Sequence, residues 1–174
     1  MYLWQKDQLS EEELVFIAQS PQTYNLEALT TLGLFYAYGR YGYKQSADEA
    51  TYILNQAMAK KHAQAFYVYA HLVGEAFFKG EVDWTKSVAY LKKSAELGFD
   101  LAMTALGEYY LIGKGVKKSY RDGEKWLLKA RNASSIPGLM ILEKHYRELG
   151  YTDKANELLN VIKTYKSIEP IHIS

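Results

Sequence analysis

Four columns of residues recur in this chain at one fixed interval. Ala28, Ala65 and Ala102 stand 37 residues apart, and the same interval separates Leu32, Tyr69 and Leu106, then Gly33, Ala70 and Gly107, then Tyr36, Val73 and Tyr110. A period of roughly 20 to 50 residues marks stacked supersecondary units, none of which buries its apolar face alone. This constraint outranks any local motif, because a residue in a repeating column is explained first by packing.

A second set of columns follows each loop. Gly42, Gly80 and Gly115 are followed eight residues later by Ala50, Val88 and Gly123, eleven later by Ile53, Leu91 and Trp126, and fifteen later by Ala57, Ala95 and Ala130. Those spacings lie on one helical stripe. Apolar residues elsewhere keep intervals of three and four, and Pro21, Pro137 and Pro170 fall near element boundaries. Each unit therefore reads as helix, glycine turn, helix, and the chain as all-α. Gly33 and Gly107 would each cost about 1 kcal/mol relative to alanine inside a helix, so their recurrence implies a close helix crossing that offsets the penalty.

The pattern divides the chain into units at 25–60, 61–98 and 99–132, a looser helix pair at 133–166 and a tail at 167–174. In the fourth pair Thr152 reads as a helix cap, and Glu143 replaces the small residue of the crossing column, as expected where an array ends. Residues 1–24 read as a capping helix, with Ser10 and Glu13 as a capping box and Leu9 and Leu14 as its staple. Trp4, Ile168, Ile171 and Ile173 either dock on the end helices or form a self-association surface, which leaves a homo-oligomer open.

The stretches "ALGEYYLIGKGVKKSYRDGEKWLLKA" (105–130) and "TLGLFYAYGRYGYKQSADEATYILNQA" (31–57) resemble the Sel1-like repeat, a relative of the tetratricopeptide repeat; residues 69–95 follow it more loosely. The resemblance implies a right-handed α/α solenoid of antiparallel helix pairs and a non-catalytic role in protein recognition, as a bacterial adaptor or scaffold or as an immunity protein against a toxic effector. It also implies that the first helix of each pair lines a concave groove. The positions facing it are Thr30, Leu34 and Tyr38, then Tyr67, His71 and Glu75, then Thr104, Glu108 and Ile112. The fourth pair adds Met140, Lys144 and Glu148, with Arg147 beside them. The implied partner is a protein or peptide.

The remaining chemistry is sparse. With no cysteine, disulfides and thiolate metal sites are absent, and a net charge of +1 gives no bulk attraction for nucleic acid or anionic membrane. No stretch has the length of a membrane span or a signal-peptide core, so a cytoplasmic location is expected. The four histidines form no HExxH, no catalytic signature occurs, and no cofactor is implied. "GKG" at 113–115 follows a helix and lacks the spacing of a phosphate loop, so Lys114 reads as a solvent-facing turn residue. Residues 1–87 carry net charge −3 and 88–174 carry +4. Much of the excess lies in Lys114, Lys117, Lys118, Arg121, Lys125, Lys129 and Arg131, interleaved with Asp122 and Glu124. A solvated helix face is the expected explanation and an acidic protein partner the next, with phosphate or nucleic-acid binding the alternative function.

Overall fold

The computed structural model describes residues 25–78, 80–132 and 136–168, which form eight helices. They are α1 (Leu26–Tyr38), α2 (Ala47–Ala59), α3 (Ala63–Gly74), α4 (Trp84–Glu96), α5 (Asp100–Ile112), α6 (Tyr120–Asn132), α7 (Ile136–Glu148) and α8 (Thr152–Ile168). No strand occurs among the described residues. The expected N-terminal helix, Trp4, Ile171 and Ile173 lie outside them, as do the side chains of Arg131 and Ile168. The helices form two compact units that divide after Leu97, α1–α4 and α5–α8.

Helix starts follow local chemistry. Asn25 accepts from the amides of Glu27 and Ala28 at 3.1 Å, Ser46 from Glu49 at 3.2 Å, Asp83 from Lys86 at 2.8 Å, and Ser119 from Asp122 at 3.2 Å. Each such cap contributes about 1 kcal/mol by satisfying an amide that has no partner within the helix. Thr152 is not a cap: the Ala155 amide bonds to the Tyr151 carbonyl, and the threonine hydroxyl turns back to the Gly150 carbonyl at 3.5 Å.

First helices end in the same way. Gly39, Ala76 and Gly113, spaced by 37, all take left-handed backbone, with φ of 62°, 59° and 79°. The next amide then reaches back to the last turn, from Arg40 to Phe35 O at 3.1 Å, Phe77 to Leu72 O at 3.0 Å and Lys114 to Tyr109 O at 2.9 Å. Two units place glycine where this conformation carries no Cβ penalty; the middle unit places alanine there. Gly42, Gly80 and Gly115 are left-handed as well, with φ of 85°, 68° and 68°, but Gly80 lies one residue beyond the 37-residue register of Gly42.

That shift corrects the second-helix columns of the middle unit. Its N-cap, Asp83, lies 37 after Ser46, so Ser87, Tyr90 and Ser94 correspond to Ala50, Ile53 and Ala57, each one residue before the expected Val88, Leu91 and Ala95. Both serines are buried, their hydroxyls donating to Ala70 O at 2.8 Å and Ala63 O at 2.7 Å. Satisfied in this way, a serine occupies a small core position that an apolar count overlooks. Val88, Leu91 and Ala95 are buried as well.

Packing within the first and third pairs depends on small residues. A Cβ on Gly33 would stand 2.7 Å from Leu54 Cγ, and one on Gly107 2.7 Å from Leu127 Cγ and 3.1 Å from the Gly123 carbonyl. Gly123 in turn faces Leu111 at 2.6 Å and the Gly107 carbonyl at 3.0 Å. In the first unit the core joins Leu29, Leu32, Leu54 and Leu72 to an aromatic group in which Tyr69 stacks on Phe78 at 5.0 Å and meets Tyr90 at 4.6 Å. The second unit packs Leu127, Leu139, Leu142 and Tyr146 against Ala155, Leu158 and Ile162 of α8.

Two stability changes are expected. Gly107→Ala lowers stability by about 1–3 kcal/mol in denaturant melts even though alanine is the better helix former, because the added methyl meets both Leu127 and backbone; a stabilised variant contradicts the close crossing. Ala76→Gly relieves a left-handed alanine and raises stability by about 1 kcal/mol, read as a higher midpoint at unchanged slope.

Candidate functional site

In the first unit the 37-residue register aligns Thr30 with Tyr67, Leu34 with His71 and Tyr38 with Glu75, on helices α1 and α3, which pack together. The C-terminal ends of these helices are tied by a side-chain bond. The Tyr38 phenol donates to Glu75 Oε2 at 2.7 Å, and Tyr38 stays 41% exposed. Partial burial, the hydrogen bond to the carboxylate and the carboxylate's charge push the Tyr38 hydroxyl up to about 12. Arg40, its guanidinium 5.5 Å from the Tyr38 ring centre, acts in the opposite sense. One turn back on α3, Tyr67 and His71 meet edge to face at 4.4 Å. Leu34 and Tyr67 are half-buried against the core, His71 is half-buried and Glu75 is exposed.

Thr30 does not belong to this surface. It is fully buried, and its hydroxyl donates to the Leu26 carbonyl 2.8 Å away, one turn earlier on its own helix. Thr104, at the matching position of α5, is buried too, at 7% exposure. The three-before position of the register thus turns into the packing on α1 and α5.

The second unit presents Glu108 and Ile112 from α5 and Met140, Lys144, Arg147 and Glu148 from α7, all exposed. Ile112 and Met140 are the apolar members, at 60% and 51% exposure. The charges on α7 answer one another: Arg147 Nε donates to Glu143 Oε1 at 2.9 Å, and Lys144 Nζ lies 3.9 Å from Glu148 Oε1. Glu143, in the crossing column, is half-buried with its carboxylate held by Arg147.

Several tyrosines serve packing rather than recognition. Tyr36 and Tyr43 meet at 4.8 Å in the α1–α2 turn, and the phenol of Tyr146 donates to Glu124, joining α7 to α6. The Tyr38–Glu75 link has one sequence signal, the shared interval of 37; nothing marks Arg40 as their neighbour. Lys114 also departs from expectation, being half-buried with its ammonium 4.7 Å from the Tyr109 ring centre. Among the described residues no group of three His, Asp or Glu side chains is arranged to hold a metal ion, and no helix is long and apolar enough to cross a membrane.

The comparisons place this architecture. The Sel1 repeat family model matches residues 26–62, 63–99 and 100–135. A Sel1 repeat protein from Oxalobacter formigenes superposes with a TM-score of 0.75 at 18% identity, over 88% of this chain and 64% of that one. A protective antigen of uropathogenic Escherichia coli strains with an SLR fold superposes with a TM-score of 0.68 at 23% identity, over 83% of this chain and 33% of that one. The chain therefore spans about two thirds and one third of those proteins, and the likeness is one of fold. No curated protein matches its sequence.

Glu75→Gln removes the charge that helps hold the Tyr38 proton. The Tyr38 ionisation should fall from about 12 toward the ordinary 10, read as the difference in phenolate absorbance between chains with Tyr38 and with Tyr38→Phe. The sign follows from the raised value: the stabilisation is fully present below pH 10 and lost as pH rises toward 12, so an unchanged titration contradicts the pairing.

Proposed function

The chain belongs to the Sel1 repeat family, whose members are in general protein-interaction modules without catalysis, and on that premise we propose that it binds a protein or peptide partner through the exposed faces of its first helices. The observation that carries this reading is the Tyr38–Glu75 hydrogen bond. It fixes an exposed ring and a carboxylate across two helices before any partner arrives, which lowers the ordering cost of association. Leu34, Tyr67 and His71 supply the adjoining contact area, with aromatic groups that suit a desolvated anchor point. Glu108, Ile112, Lys144 and Arg147 are the corresponding contact residues of the second unit.

The biological role we assign is a cytoplasmic adaptor or scaffold, with neutralisation of a toxic effector as its narrower form. Co-expression with a candidate effector separates them: protection supports the immunity role, and unchanged toxicity alongside measured binding supports the adaptor.

The binding surface itself is tested with the triple variant Tyr38→Ala, His71→Ala, Glu75→Ala. A partner purified on the wild-type chain should bind this variant about tenfold or more weakly by calorimetry at a temperature where the helical signal shows the variant folded. Undiminished affinity removes this surface from the function.

A further inference from the structure

Helix α6 carries a row of cations that form no ion pair among the described residues. Arg121, Lys125 and Lys129 stand four residues apart, all exposed, and Lys117 and Lys118 extend the row from the preceding loop. At 100° per residue the row lies about 170° around the helix from its buried residues Gly123, Leu127 and Ala130, and it runs for about 12 Å.

The two carboxylates interleaved in the sequence are already engaged. Asp122 Oδ2 accepts the Ser119 hydroxyl at 2.7 Å, and Glu124 accepts the Tyr146 phenol from α7. None of Lys117, Lys118, Arg121, Lys125 and Lys129 is in an ion pair among the described residues. The next helix supplies the contrast, since the α7 cations Lys144 and Arg147 each have a carboxylate four residues away. On α6 such pairs are missing along the whole row.

We propose that this row is a docking surface for an acidic helical segment of a partner protein, separate from the Tyr38–Glu75 surface. The three cations repeat once per turn, so carboxylates spaced by four on a second helix meet them in register. Two aromatic rings border the row: Lys129 Nζ lies 4.4 Å from the Trp126 ring centre and Lys118 Nζ 4.9 Å from that of the half-exposed Tyr120. A cation thus already sits over each of these rings, and residues 98–174 hold 12 Lys and Arg against 9 Asp and Glu, a small excess for nucleic acid. Charge and spacing together therefore favour an acidic helix over a phosphate backbone.

The probe is a synthetic alanine-based helical peptide with glutamate at every fourth position, followed by fluorescence anisotropy against the full chain. Binding is expected at low salt, weakened about tenfold on raising ionic strength to about 0.15 M. Lys125→Glu with Lys129→Glu should weaken it about tenfold more than Lys44→Glu with Lys163→Glu, a charge change of equal size at exposed positions elsewhere. Lys125→Gln with Lys129→Gln, which reverses no charge, should give an intermediate loss, and circular dichroism of each variant establishes that it is folded. A peptide of the same composition with its glutamates bunched at one end should bind several-fold more weakly. Equal loss in both reversed pairs, equal affinity for the two peptides, tighter binding of a single-stranded oligonucleotide of equal charge, or no binding at low salt each overturns the proposal.

Discussion

The first and third helix pairs of this protein rest on crossings with almost no room between their members. At Gly33 and Gly107 a single added carbon would stand 2.7 Å from a leucine of the partner helix, and Gly107 and Gly123 bring backbone against backbone. Such contact converts the helix-weakening cost of glycine into packing of leucine against a bare helix surface. It also fixes the rotation of the first helix about its axis, and with it the residues left facing outward. The αL turn at 39, 76 and 113 then ends the first helix in the same way in three pairs, and the Ser46 and Ser119 amides bond to the Tyr36 and Tyr110 carbonyls at 2.9 Å as the second helix begins.

Once those columns are committed to packing, few positions remain for recognition. On α1 and α3 they carry a phenol, a carboxylate, an imidazole and a second ring. A hydrogen bond at one end and a ring contact at the other hold these groups in place. On α6 they carry cations that form no ion pair among the described residues, and on α7 cations that do. The same scaffold chemistry thus supports surfaces of different character, which is how a repeat family serves different partners.

Much of this was legible in the sequence because packing at helix crossings tolerates few residue types. The interval of 37, the small column at 33, 70 and 107 and the all-α class follow from it. Part of the departure has one cause: polar residues that satisfy themselves locally carry no sign of burial. Thr30 bonds its own helix, while Ser87 and Ser94 bond the neighbouring one, so their burial has no apolar signature. Ala76 shows the converse, a left-handed turn position kept where the residue gives no sign of it. The Tyr38–Glu75 bond joins residues 37 apart, and it became visible only when the repeat was folded into adjacent helices.

The close crossing is tested most directly by a double-mutant cycle at Gly33 and Leu54. The three atoms nearest to a Cβ on Gly33 all belong to Leu54, so truncating that leucine should remove the obstruction. Gly33→Ala should cost about 1–3 kcal/mol in the wild-type chain and close to nothing in the Leu54→Ala chain, a coupling of at least about 1 kcal/mol. Additive costs within about 0.5 kcal/mol would show that the two helices do not meet there, and the crossing would lose its place as the determinant of the fold.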